Sequence, residues 1–102
     1  MSIRKQYLKS KPVCKVTFTI DGDAVSNASD AHVVGEFNSW STSAHPMKKR
    51  KSGGFTLTID LEKGREYQFR YLLDTQQWEN EPEADRQTPS PFKDSHNSVV
   101  AV

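Results

Sequence analysis

The hydrophobic and polar residues of this chain alternate with a period of two over several short stretches. In the clearest of them, Phe55, Leu57, Ile59 and Leu61 are separated by polar residues. Such alternation places apolar side chains on one face of an extended chain and predicts a half-buried strand. Together with short apolar and β-branched runs, the pattern predicts strands at residues 13–20, 32–36, 47–51, 55–61, 67–73 and 98–102.

Turn residues and the lack of a helical period decide the predicted fold class. Asp and Gly residues separate the apolar runs at 21–23, 53–54 and 63–64, and polar residues turn the chain at 74–77. Several short strands with frequent turns predict an all-β protein, an antiparallel β-sandwich of immunoglobulin-like type. We expect the core to be drawn from Val16, Phe18, Val34, Phe55, Leu57, Ile59, Tyr67, Phe69, Tyr71 and Val100.

Two features stand out from this regular pattern. Gly35 interrupts an apolar run, which predicts a bulge or a close approach of two backbones. The polar segment 79–91 is expected to be the one long connection, and long loops are often functional.

Length, charge and cysteine content narrow the class of protein. A chain of 102 residues suits one domain, and we interpret residues 1–12 as a basic tail and 13–102 as a single folded module. The net charge of +1 creates no global field, so no nucleic-acid or membrane partner is expected. Cys14 is the sole cysteine and no 18 apolar residues run together, which predicts a soluble cytoplasmic protein.

Two tryptophans lie in polar surroundings. Trp40 falls in the polar segment 37–43, and Trp78 follows the turn at 74–77. Each ring either folds back onto a sheet as a lid or contacts a ligand that covers it. A flat ring suits the apolar C–H face of a pyranose, and Arg70 and Asn97 are candidate partners for its hydroxyls, although Arg70 is also interpretable as a solvated strand charge.

The sequence gives no support for catalysis. The acidic residues Glu79, Glu81, Glu83 and Asp85 cluster in one polar loop, where we expect them to be solvated. Glycoside hydrolysis instead needs two fixed carboxylates, one of them with a raised pKa. The three histidines lack metal-ligand spacing, and the basic run 48–51 is interpreted as a solvated or ion-paired hairpin. We therefore predict neither enzymatic activity, nor a metal site, nor a cofactor.

Several segments together resemble carbohydrate-binding module family 48, which includes the N-terminal domains of isoamylases and glycogen-branching enzymes and the glycogen-binding domain of the AMP-activated protein kinase beta subunit. The resemblance spans roughly residues 13–102 and rests on the order and spacing of its parts. These parts are 33–40 (VVGEFNSW), 47–48 (MK), 54–55 (GF), 64–71 (GREYQFRY), 74–78 (DTQQW) and 97–100 (NSVV).

The resemblance implies an early-set immunoglobulin-like sandwich that binds α-1,4-linked glucans such as glycogen, starch and maltooligosaccharides. It implies that Trp40 and Trp78 are stacking platforms, that Arg70 is the basic contact, and that Asn97 hydrogen-bonds sugar hydroxyls. Ser95 is similar to a neighbouring threonine of the kinase domain. Either Phe92 or Lys93 takes the place of that domain's apolar finger. This chain departs from many relatives at the hairpin, where it has Asp74-Thr75 instead of Asp-Gly.

The leading hypothesis is a non-catalytic glucan-binding module. One alternative is a protein-interaction or regulatory subunit that docks on a glycogen-metabolising enzyme or kinase and has a vestigial sugar site. A second alternative is a nucleic-acid binder that uses the cations of the N-terminal segment and of 48–51, and its affinity would fall steeply with salt.

Overall fold

The computed structural model describes residues 1–24, 28–90 and 95–102. Two three-residue 3₁₀ segments, Gly22–Ala24 and Glu36–Asn38, are the helical elements of this part of the chain, and the rest of its regular structure is extended. The nine strands are β1 (Ser2–Tyr7), β2 (Val13–Ile20), β3 (Ala31–Gly35), β4 (Lys48–Lys49), β5 (Phe55–Glu62), β6 (Glu66–Leu73), β7 (Gln77–Glu79), β8 (Arg86–Pro89) and β9 (His96–Ala101).

The strands form two sheets in which every pairing is antiparallel. The first sheet has the order β1-β2-β5-β4. The second has the order β3-β6-β9-β8, and β7 adds to β6 beyond the end of β9. This architecture confirms the predicted all-β, immunoglobulin-like antiparallel sandwich.

The core lies between the sheets and is built on aromatic contacts. Phe18 of β2 meets Phe69 of β6 edge-on with ring centroids 5.0 Å apart, and Tyr71 lies 6.3 Å from Phe18 in a second edge-on contact. All three side chains are fully buried. A buried side chain of this size contributes about 1.5–3 kcal/mol, so these contacts are a main source of stability.

Three of the predicted core residues differ from expectation in a way that the sheet order explains. Leu57 and Ile59 are half-buried, because β4 pairs with only the first two residues of β5 and leaves the rest of that strand at an edge. Val34 is fully buried but lies on the outer face of the second sheet, since its neighbour Val33 faces the core. The other seven are buried as predicted.

The N-terminal segment takes part in the sandwich. Residues 1–12, expected to form a basic tail, include β1, which pairs with most of the length of β2 from Ser2↔Thr19 to Tyr7↔Cys14. Half of this segment therefore belongs to the first sheet.

The described part of the polar segment 79–91, residues 79–90, contains more regular structure than expected. It contains β8, which pairs with β9. Glu81, predicted to be solvated, is fully buried. Its Oε1 accepts a 2.7 Å hydrogen bond from the Tyr71 hydroxyl, and its Oε2 accepts one of 2.9 Å from the backbone N–H of Glu83. The expectation of a solvated acidic loop is thus wrong at Glu81, because a tyrosine of the core supplies the carboxyl group with a buried donor.

Candidate functional site

The outer face of the second sheet carries the predicted site residues. Val34 of β3 lies opposite Arg70 of β6, and Leu72 of β6 lies opposite Trp78 of β7. Since side chains alternate across a strand, Arg70 and Leu72 point away from the core when Tyr71 points into it. The outer face is therefore where these strands present their polar and aromatic groups.

An open groove of about 880 Å³ runs over this face. All five residues predicted for the site contribute to it, so the fold brings together positions that are far apart in the sequence. The groove is lined by Val34, Glu36, Trp40, Thr42, Gln68, Arg70, Trp78, Ser90, Ser95 and Asn97.

Backbone geometry places Trp40 at the groove. Ser39 and Trp40 both have positive φ, 55° and 59°, and the Trp40 N–H donates a 2.8 Å hydrogen bond to the carbonyl of Gly35. Two successive non-glycine residues in the left-handed region are costly, at about 1–3 kcal/mol each, so they persist only where the surroundings enforce them. The ring is 39% exposed.

The Asn38 side chain is the main group that enforces this conformation. Its Oδ1 accepts hydrogen bonds from the backbone N–H groups of Gly35 and Ser41, at 3.1 and 3.2 Å. Its Nδ2 donates to the Val33 carbonyl at 2.9 Å and lies 2.8 Å from Nδ1 of His45. One amide thus ties both ends of the loop that presents the tryptophan.

Gly35 allows this loop to pack closely on β6. A Cβ at this position would lie 2.6 Å from the Gln68 carbonyl oxygen and 2.8 Å from Cβ of Phe69. Only glycine fits, which confirms the predicted close approach of two backbones.

Trp78 owes its position to the β6–β7 hairpin. Asp74 and Thr75 have φ of 51° and 57°, and the N–H of Gln76 donates to the Leu73 carbonyl at 3.0 Å, which defines a type I′ turn. The turn places Trp78 beside Leu72, which is 2% exposed, whereas the tryptophan itself is 45% exposed.

Arg70 is held in place by two neighbours. Its Nε donates a 2.6 Å hydrogen bond to Oδ1 of Asn97, and its Nη2 donates one of 3.0 Å to Oγ of Ser95. Nδ2 of Asn97 in turn donates to Oε1 of Gln68 at 2.9 Å. The cation therefore has a fixed orientation at the groove, unlike a solvated strand charge.

The sequence reasoning missed four polar residues of the groove, Glu36, Thr42, Gln68 and Ser90. Two of them are joined by a hydrogen bond. Gln68 shares the outward face of β6 with Arg70, and Glu36 accepts a 2.7 Å hydrogen bond from the Gln68 N–H through Oε1. The alternation of β6 carries the signal for Gln68, because every second residue from Arg70 points the same way. Glu36 has no comparable signal, since its position follows from the 3₁₀ segment.

The remaining sequence expectations concern the apolar finger, the basic run 48–51, metal binding and membrane spans. Phe92 and Lys93 lie outside the described residues. In the basic run 48–51, Nη1 of Arg50 lies 3.7 Å from a carboxylate oxygen of Asp21. Across the described ranges, no three His, Cys, Asp or Glu side chains are close enough together to hold a metal ion. No helix in them is long and apolar enough to span a membrane.

The fold and the groove define a class, a small β-sandwich that presents exposed aromatic rings and a fixed cation on one sheet face. The chain belongs to the carbohydrate-binding module 48 family (isoamylase N-terminal domain), whose match covers residues 25–85, more than half of its length.

Two similar proteins are 1,4-alpha-glucan branching enzymes. The one from Butyrivibrio fibrisolvens is 59% identical over 34 residues, which is 32% of this chain and 5% of the enzyme. The one from Photobacterium profundum is 48% identical over 44 residues, which is 42% of this chain and 6% of the enzyme. The similarity therefore covers a small part of each enzyme.

Proposed function

We propose that this protein binds α-1,4-linked glucans such as glycogen, starch and maltooligosaccharides by stacking sugar rings on Trp40 and Trp78. The observation that carries the proposal is the presence of both rings, 39% and 45% exposed, in one groove on one face of a carbohydrate-binding module.

The chemistry of the groove supports this ligand. The C–H bonds on one face of a pyranose are apolar and cover an aromatic ring, while hydroxyls at the sugar's edge need hydrogen-bonding partners. Arg70 is such a partner, because a guanidinium offers five N–H donors in a fixed fork. Asn97 and Ser95 also line the groove and fix the orientation of Arg70 by accepting its hydrogen bonds.

The relatives support the choice of an α-1,4-glucan, since both are named for this polymer. We do not extend branching activity to this chain, because the matched segment covers about a twentieth of either enzyme. Among the described groove residues Glu36 is the one carboxylate, and glycoside hydrolysis commonly needs two. The proposal is therefore a binding protein without catalysis, and a cytoplasmic location stays a prediction.

Titration with maltoheptaose or β-cyclodextrin, followed by calorimetry, tests the proposal. Each of Trp40→Ala and Trp78→Ala should weaken binding by about 1–3 kcal/mol, by analogy with bases stacked on aromatic rings. Tyr7→Ala is the matched control, because Tyr7 is 52% exposed but lies on the first sheet. Circular dichroism must accompany Trp78→Ala, since this change uncovers Leu72.

The alternatives give different results in the same experiment. A docking subunit with a vestigial sugar site would not bind either glucan, and a nucleic-acid binder would bind oligonucleotides with an affinity that falls steeply with salt. The affinity for a glucan should change little with salt, because neutral sugars stack on uncharged aromatic rings. Wild-type protein that fails to bind maltoheptaose would overturn the proposal.

A further inference from the structure

A directed chain of hydrogen bonds crosses the floor of the groove. Nε of Arg70 donates to Oδ1 of Asn97 at 2.6 Å, and Nδ2 of Asn97 donates to Oε1 of Gln68 at 2.9 Å. The three residues come from two neighbouring strands of the second sheet, so this row of hydrogen bonds runs from β6 to β9 and back.

The direction of this chain is dictated by the arginine. A guanidinium has no acceptor, so Asn97 must turn its oxygen toward Arg70 and its NH₂ group toward Gln68. Gln68 must then accept with its oxygen, which leaves its own NH₂ group for the groove. No described residue accepts a hydrogen bond from that nitrogen.

Asn97 and Gln68 differ in how accessible they are to a ligand. Asn97 is 4% exposed, and both ends of its amide already have partners. Gln68 is half-buried and lines the groove. A ligand in the groove can therefore reach the Gln68 amide more readily than the Asn97 amide.

We propose that Gln68 is a further glucan-binding residue, and that Asn97 is a positioning residue that acts through Arg70 and Gln68. This inference rests on the proposed function. Arg70 and Gln68 together offer N–H donors, so sugar hydroxyls at this edge of the groove take the role of hydrogen-bond acceptors. Glu36 lines the same groove and accepts the backbone N–H of Gln68 through Oε1, so its carboxylate is the acceptor available there for a sugar hydroxyl that donates.

A mutant cycle in maltoheptaose affinity tests the division of roles. Gln68→Ala and Arg70→Ala should each weaken binding about two- to tenfold, as expected for solvent-accessible hydrogen bonds. Asn97→Ala should weaken wild-type binding to a similar extent but should change nothing in the Gln68→Ala/Arg70→Ala double variant. Gln77→Ala is the control, since this exposed glutamine lies in β7 and bonds Glu79.

Asn97→Asp gives a second test that does not depend on removing a side chain. Aspartate accepts from Arg70 but cannot donate to Gln68, so the Gln68 amide must rotate and present its oxygen to the groove. We expect a loss of affinity, because an acceptor replaces a donor beside Arg70, and we expect Gln68→Ala to cost less in the Asn97→Asp background than in wild type. The Gln68 side-chain amide signal in the ¹⁵N NMR spectrum should also shift in the ligand-free variant.

The outcomes separate this inference from the proposed function. If wild-type protein binds maltoheptaose but Asn97→Ala still weakens binding in the double variant, Asn97 contacts the sugar itself and the inference is wrong. The same conclusion follows if Gln68→Ala binds like wild type. If wild-type protein does not bind any glucan, the proposed function itself fails.

Discussion

Among single residues, Tyr71 and Glu81 form a side-chain hydrogen bond between two fully buried partners. The tyrosine is fully enclosed by the core, and its hydroxyl donates to the Glu81 carboxyl group at 2.7 Å. Burial raises the pKa of Tyr71 well above its ordinary value, and the neighbouring carboxylate raises it further. The hydroxyl therefore stays protonated and remains the donor of this bond.

Removing the donor should destabilise the fold. We expect Tyr71→Phe to lower the free energy of unfolding by about 1–3 kcal/mol, because Glu81 keeps a buried oxygen without a partner. Urea denaturation measures the change. Tyr67→Phe is the matched control, since the Tyr67 hydroxyl donates to the Glu62 carbonyl at 3.2 Å in a partly exposed site. Equal losses in the two variants would show that Glu81 is satisfied by other groups.

The residues of the site differ in how far sequence reveals them. Trp40 and Trp78 could be found because large aromatic rings in polar sequence indicate either packing onto a sheet or contact with a ligand. Arg70 and Asn97 could be named as partners for sugar hydroxyls, and the resemblance to a family then added Ser95. Outside the site, the burial of Glu81 could not be predicted, because its partner Tyr71 lies ten residues earlier in β6. The sequence also does not show that Gln68 presents its NH₂ group to the groove, because this orientation depends on hydrogen bonds between β6 and β9.

Among the elements, the β6–β7 turn has a well-defined type I′ geometry, but one of its central residues is unfavourable for that geometry. A type I′ turn needs positive φ at both central positions and favours Asn-Gly or Asp-Gly. Here the second position is Thr75, a β-branched residue with φ of 57°. The conformation is supported from outside, because Oδ1 of Asp74 accepts the backbone N–H groups of Ser29 and Asp30 at 2.7 and 3.0 Å.

Relieving this strain should stabilise the protein. We expect Thr75→Gly to raise the free energy of unfolding by about 1 kcal/mol, the relief at positive φ being partly offset by the greater freedom of glycine in the unfolded chain. Thermal denaturation measures the effect. Thr58→Gly, a change of the same kind in the exposed middle of β5, should have the opposite sign. A loss of stability in Thr75→Gly would mean that the Thr75 hydroxyl, 2.6 Å from the Asp74 carbonyl, matters more than the strain.

The strands that sequence predicts and those that it misses differ in their side chains. The six predicted strands all appear, and each end lies within two residues of the predicted one. Five of them carry an apolar face that reveals them, whereas β4 is the exposed pair Lys48–Lys49. The missed strands β7 and β8 are three and four residues long and lie in polar sequence. In β1 the residues that share a face are Ile3, Lys5 and Tyr7, so a cation breaks the apolar period.

At the scale of the whole molecule, the Lys5 side chain of β1 links the two sheets. β1 lies at the edge of the first sheet, and Asp85 precedes β8 at the edge of the second. Nζ of Lys5 lies 2.9 and 2.8 Å from the two carboxylate oxygens of Asp85, and Oδ2 also accepts the Ala101 N–H at 2.8 Å. Burial alone would raise the pKa of Asp85, but the Ala101 amide and the Lys5 ammonium outweigh burial and lower the pKa below its ordinary value.

The sign of this pKa shift predicts how the link responds to acid. Because the folded-state pKa is the lower one, the charged Asp85 stabilises the fold above the unfolded-state pKa of about 4, and this contribution is lost as the pH falls through the folded-state value. We expect Asp85→Asn to lower the free energy of unfolding by less than about 1 kcal/mol near neutral pH, since the pair is partly exposed. The difference from wild type should vanish at strongly acidic pH.

Urea denaturation across a pH series measures this difference. Asp60→Asn is the control, because its partner Lys15 lies 3.7 Å away and both side chains are about half exposed, so little change is expected at any pH. Asp85 does not line the groove, so maltoheptaose affinity should be the same in Asp85→Asn and wild type. A wild-type advantage that persists unchanged into strong acid would mean that the carboxylate charge does not hold the two sheet edges together.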